Sequence, residues 1–125
     1  MNVELKKRIQ LLLESIQTKG LQWKLGSDVS HLKERKKRKN IPETYTVEDY
    51  NNLIINILEE NNNEVYLYFL EDFSQDYFIF TDGKWIVIIG ENCIMETAMI
   101  SKNYKRYLSP GKGYTYIGTI KEVWG

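Results

Sequence analysis

Apolar side chains recur at Val3, Ile9, Leu12, Leu13 and Ile16 with charges between them, a helical period. The spacing predicts a helix over residues 3–18, with Lys19 and Gly20 as its stop. Gly26-Ser27-Asp28 offers a cap for a second helix over about 29–37, whose apolar content is thin, Val29 and Leu32 alone. Such a helix is mostly solvated and held by its ends, and Asn40-Ile41-Pro42 breaks it. Thr46 opens a third helix, with Glu48 and Asp49 at the positive end of its dipole and a buried stripe of Tyr50, Leu53, Ile54, Ile57 and Leu58.

Beyond Asn61-Asn62-Asn63 the period changes to two. Strands are predicted over 64–71, 76–81, 84–90 and 93–100, the second and third joined by an Asp82-Gly83 hairpin turn. A short helix or turn over 102–108 and a Pro110–Gly113 loop lead to a closing strand over 114–123. Trp85 to Ile89 is apolar on both faces and is expected to form the central strand. The fold class is therefore α+β in one domain, 1–125: N-terminal helices (1–60) packed on a four- to five-stranded, mainly antiparallel sheet (64–123).

Composition adds direction rather than class. The chain of 125 residues has no net charge, 42% hydrophobic and 27% charged residues, and nine tyrosines. A uniformly basic nucleic-acid binder is excluded, but Lys33 to Lys39 reads KERKKRK, a local net charge of +5, so the field is directed. One cysteine, Cys93, and one histidine, His31, make neither an internal disulfide nor a zinc site, which fits a reducing compartment. No signal peptide is legible, and no apolar run approaches the roughly 20 residues of a membrane helix, so cytoplasmic action and no membrane partner are expected.

His31 must carry any histidine chemistry. On a helix His31, Arg35 and Arg38 share one face. An imidazole can move a proton near neutral pH, and two guanidiniums can grip a phosphate while depressing the histidine's pKa. The same pattern describes a surface histidine on a solvated basic helix. In the 93–100 strand, alternation puts Ile94, Glu96 and Ala98 on one face and Met95, Thr97 and Met99 on the other. Glu96 and Thr97 are site candidates there, against an ordinary half-exposed strand. Lys102, Tyr104, Lys105, Arg106 and Tyr107, then Lys112, Tyr114 and Tyr116, interleave cations and aromatics as a single-stranded nucleic-acid groove does, or as the edge of any small sheet does. No phosphate-binding glycine loop, paired cysteines or metal cluster is present, so neither cofactor nor metal is expected.

The stretch His31-Leu32-Lys33-Glu34-Arg35-Lys36, followed by Ile41-Pro42, by Thr46 to Ile54 and by the strand Ile94-Met95-Glu96-Thr97-Ala98, resembles the barnase–EndoU–colicin–RelE superfamily of small ribonuclease toxins, especially its phage and polymorphic-toxin branches. The resemblance implies one or two helices before a four-stranded antiparallel sheet, and a metal-independent endoribonuclease acting on RNA, tRNA included. His31 would then be general base or acid, and Arg35 and Arg38 would hold the scissile phosphate. Thr97 would offer a hydroxyl, Tyr104 or Tyr107 a late polar contact, and Glu96, a tyrosine or water the second proton. Lys33, Lys36, Lys37 and Lys102 would contact the substrate. It also implies a cognate inhibitor protein, and either delivery from another cell or a phage origin. Asn92 and Cys93 stand where the family would have glycine, and Met99 where an aromatic is common. His31 is expected in a cleft with Thr97 and at least one C-terminal tyrosine, and the 33–39 segment is expected to be exposed.

Two other classes stay open on the residues alone. One is a non-catalytic nucleic-acid-binding module. The other is a protein–protein adaptor, inhibitor or phage accessory factor, which a pI near 6.6 suits better than it suits an RNA binder.

Overall fold

A computed structural model describes residues 1–125, the side chain of Phe73 excepted. Three helices lead, α1 (Val3–Lys19), α2 (Ser27–Lys37) and α3 (Val47–Glu59). Five strands follow: β1 (Glu64–Leu70), β2 (Gln75–Thr81), β3 (Trp85–Gly90), β4 (Met95–Ile100) and β5 (Tyr114–Thr119). A one-turn helix α4 (Tyr104–Tyr107) sits between β4 and β5, and α5 (Ile120–Trp124) ends the chain. All neighbouring strands are antiparallel, in the order β4-β3-β2-β1-β5. The α+β expectation holds, with five strands. No helix of the described residues is long and apolar enough to cross a membrane.

The helices cover one face of the sheet. Ile9, Leu12, Leu13 and Ile16 of α1 and Tyr50, Ile54, Ile57 and Leu58 of α3 pack with Val65, Phe78, Phe80, Val87, Ile89, Met95 and Ala98 in one core. Asn2 caps α1, accepting from the Leu5 amide at 2.8 Å, and Thr46 with Asp49 forms a reciprocal capping box on α3. On the other face Tyr66, Ile79, Ile86 and Leu108 make a smaller cluster, with Tyr104, Tyr107 and Tyr114 against it.

Four expectations are corrected. The closing strand stops at Thr119, whose side chain caps α5 through a second capping box with Glu122, so 120–123 is helical. The Trp85–Ile89 strand is interior but not central, since the middle position belongs to β2. Alternation fails in β4: Ile88 pairs with Thr97 but Ile89 with Met95, so Glu96 is an extra residue in a bulge. Met95 and Ala98 therefore both join the helix-side core. Finally, the basic segment is not uniformly exposed, because Arg35 is buried.

The β4 edge is partly closed by the chain between α1 and α2: Gln22 makes a parallel bridge to Ile94, and its carbonyl accepts from the Met95 amide at 2.8 Å. From the other side the buried Tyr50 hydroxyl donates to the Ala98 carbonyl at 2.6 Å. Replacing Tyr50 by phenylalanine removes that donor and is expected to cost about 1–1.5 kcal/mol in urea unfolding, with β4 the first strand to lose amide protection.

Candidate functional site

The site forms where α2 meets the β4 bulge. His31 and Arg35 lie one turn apart on α2. The bulge sets Glu96 and Thr97 side by side opposite Ile88. Thr97 Oγ1 and His31 Nδ1 are 3.3 Å apart. Trp23, from the α1–α2 connection, packs on His31 with ring centroids 5.4 Å apart and stacks on Tyr50 at 5.9 Å. Its indole N–H is held by Asn51 Oδ1 at 3.0 Å. Trp23, His31 and Tyr50 thus form one aromatic row beside the strand.

Arg35 is the unusual member. It keeps 6% of its surface, and its Nε is buried without a hydrogen-bond partner. The ion pairs present among the described residues join Arg8 to Asp76 and Glu91, and Arg38 to Glu34, and none reaches Arg35. The reason it is buried lies in the helix period: Leu32 and Arg35 are three apart, on the stripe of α2 turned to the core. A buried, unpaired cation is costly unless an anion joins it.

Electrostatics follow from this placement. Burial pushes the His31 pKa down, the Arg35 guanidinium adds to the effect, and Glu96 opposes it. The imidazole is therefore neutral at neutral pH, the state a general base needs. Tyr50 is pushed up to about 12 by burial and stays protonated. In the unfolded chain His31 takes its ordinary pKa near 6.5. Below that value the unfolded chain binds a proton that the folded one resists. This group's contribution to stability is thus constant above pH 6.5 and falls as pH drops through 6.5 toward the folded pKa. Ring-proton NMR titration is expected to find His31 below 6.5, lower again in Glu96→Gln and higher in Arg35→Gln.

Of the remaining candidates, Arg38 is turned to solvent at the C-terminal cap of α2 and paired through Nε with Glu34 Oε1 at 2.8 Å, so it does not share the buried face with His31 and Arg35. Lys33 and Lys37 are exposed and Lys36 is half-buried on the outer side of that helix. Lys102 is exposed beyond β4. Tyr104 and Tyr107 join the cluster on the far face of the sheet rather than His31. The aromatic partner of His31 is Trp23, in a connection with no periodicity to flag it. The turn before β4 runs through Cys93 at φ +69°, the left-handed conformation for which glycine is the usual residue. Among the described residues no three His, Cys, Asp or Glu side chains come together as a metal centre would require.

Sequence reasoning also missed a groove on the far face, about 270 Å³ in volume. Its floor is Ile79 and Ile88, and Tyr68, Tyr77 and Tyr114 stand around it with Glu96. A signal was present, since Tyr66 with Tyr68, and Tyr114 with Tyr116, are spaced by two and point along one face of their strands.

No family model, no curated protein and no solved structure matches this chain.

Proposed function

We propose that this chain is a metal-independent endoribonuclease whose scissile phosphate is held between Arg35, His31 and Thr97. The observation that carries the reading is Arg35, a buried arginine whose Nε has no hydrogen-bond partner and whose guanidinium makes no ion pair among the described residues, beside a neutral imidazole and a hydroxyl. An incoming phosphodiester satisfies that cation, and a fixed cation on the phosphoryl oxygens stabilises charge that grows in the transition state.

The chemistry divides as follows. With its proton on Nδ1, donated to Thr97 Oγ1, His31 presents a free Nε2 lone pair. That nitrogen takes the proton of the ribose 2′-hydroxyl. The O2′–P bond forms, the P–O5′ bond breaks, and a 2′,3′-cyclic phosphate remains. The leaving O5′ takes a proton from water or from the imidazolium just formed. The depressed pKa suits the base role better than that of initial acid. Glu96 steadies the imidazolium during the cycle, since its charge favours the protonated ring. Arg38, Lys33 and Lys37 lie outside this centre and serve as flanking phosphate contacts. Replacing Arg38 with glutamine is expected to reduce the salt dependence of RNA binding by about one phosphate contact and leave turnover within a few-fold.

The test is incubation of the purified protein with total tRNA and ribosomal RNA in excess chelator. Discrete fragments ending in cyclic phosphate are expected. RNA that binds to the basic face and stays intact indicates a non-catalytic nucleic-acid-binding module instead. Neither binding nor cleavage indicates a protein–protein adaptor.

A further inference from the structure

The far-face groove and the His31 centre are joined by two pairs of consecutive residues. Glu96 lines the groove while Thr97 meets His31, and Lys24 lines the groove while Trp23 packs on His31. Thr97 is also the cross-strand partner of Ile88, a residue of the groove floor, and directly opposed residues share a face with Cβ atoms about 4.5–5.5 Å apart, so a single nucleotide can have its phosphate at Thr97 and its base in the groove. Glu96 also acts on both sides of that boundary, on His31 and on the Tyr77 hydroxyl, whose pKa is raised by burial first and by Glu96 second.

The groove has the composition of a base pocket. It is lined by flat rings and apolar floor, with amides from Gln75 and Asn92 at one end. Tyr68 and Tyr114 are packed ring on ring, centroids 4.8 Å apart, and Tyr107 backs Tyr114 at 5.8 Å, so that wall is fixed before any ligand arrives. Gly90 makes room for the amides: a Cβ there would collide with Gln75 Nε2 and crowd Asn92 Oδ1. Asn92 Oδ1 accepts from the Ile94 amide at 3.1 Å, whereas the Gln75 amide makes no side-chain hydrogen bond among the described residues and is left to face a ligand. The pocket volume of about 270 Å³ is just under the range typical of drug-sized ligands and suits one planar ring system.

We infer that this groove is a nucleobase subsite, holding the base of the nucleotide whose phosphate lies at Arg35, His31 and Thr97, with Tyr77 and the Tyr68–Tyr114 wall stacking on it and the Gln75 amide reading its edge. The inference rests on the ribonuclease reading for its phosphate and adds the recognition of the base. It makes the enzyme one that unstacks its target, as single-stranded RNA and loops allow.

The test uses the intact chain, with amide NMR shifts followed during titration by inorganic phosphate and by the 3′-monophosphates of adenosine, guanosine, cytidine and uridine. Phosphate is expected to move His31, Arg35 and Thr97 alone. The nucleotides are expected to move these together with Tyr77, Ile88 and Glu96. Tyr77→Leu should weaken the nucleotides about tenfold by loss of stacking and leave phosphate affinity unchanged, and Gln75→Leu should narrow the differences among the four bases. Unfolding curves for both variants verify that they fold. Nucleotide shifts confined to His31, Arg35 and Thr97, or an unchanged affinity in Tyr77→Leu, overturn the subsite and leave the ribonuclease reading standing. Groove shifts without any at His31 and Thr97 overturn the phosphate site, and the subsite with it.

Discussion

Replacing His31 by alanine is expected to reduce RNA cleavage by about 10²- to 10⁴-fold, the range a positioned general base supplies, while the protein still folds and still binds inorganic phosphate. The split follows from the geometry. Arg35 carries the attraction for phosphate and does not depend on His31 for its position, since it is fixed by its own place on the buried stripe of α2. His31 is half-buried, with its ring tilted against Trp23 and one nitrogen near Thr97 Oγ1. Losing those contacts costs on the order of 1 kcal/mol. Steady-state cleavage of a short RNA, a phosphate titration and a thermal melt on the same preparation check the three parts. A variant that cuts at the wild-type rate removes His31 from the chemistry.

Arg35→Met is expected to do the reverse of an ordinary core substitution: it raises stability and destroys function. Arg35 is buried, its Nε has no hydrogen-bond partner and no ion pair reaches it among the described residues, so an unbranched apolar side chain of similar length removes a penalty. A gain of about 1 kcal/mol corresponds to a rise in Tm of about 4 °C. Cleavage is expected to drop about 10²- to 10³-fold, the scale for loss of one charge-stabilising group. Ligand linkage separates this from a purely structural effect. Inorganic phosphate at about a hundred times its dissociation constant stabilises the wild type by ~2.7 kcal/mol and leaves Arg35→Met nearly unmoved. Differential scanning calorimetry with and without phosphate measures both numbers. A destabilised variant, or one that phosphate still stabilises fully, contradicts an anion site at Arg35.

How much of this could be read without coordinates differs by element. The α3 stripe was legible because four of its apolar positions are buried at helical spacing and its cap is a sequence pattern. The sheet was legible from the change of period after Asn63. The β4 face assignment was not, because one bulged residue, Glu96, reverses the parity of everything after it, and a bulge has no reliable signature in a single sequence. The α5 helix could have been read: Thr119-Ile120-Lys121-Glu122 is a capping-box pattern, which the run of β-prone residues before it obscured. At the site, His31 is expected in one cleft with Thr97 and a C-terminal tyrosine: it lies 3.3 Å from Thr97, but its aromatic neighbour is Trp23 and the tyrosines sit on the far face, while Arg35 and Arg38 look equivalent in a charge run. Burial distinguishes them. Position on the helix stripe puts Arg35 inside, and its neighbour one turn back, Leu32, was the available clue. Tyr104 and Tyr107 rest on the interleaving of cations and aromatics and on the family resemblance, neither of which says which side of a sheet a loop will cross.

The central claim is that a phosphodiester bound at Arg35 is broken by its own 2′-hydroxyl, with His31 taking the proton. The most direct measurement compares an RNA oligonucleotide containing a mapped cleavage site with the same strand carrying a single 2′-deoxy residue immediately 5′ to the scissile phosphate, in chelator, with product masses recorded. The account predicts cleavage of the first to a fragment ending in 2′,3′-cyclic phosphate and no cleavage of the second at that bond. Equal cleavage of both strands, or products ending in a free 3′-hydroxyl and a 5′-phosphate, would contradict it.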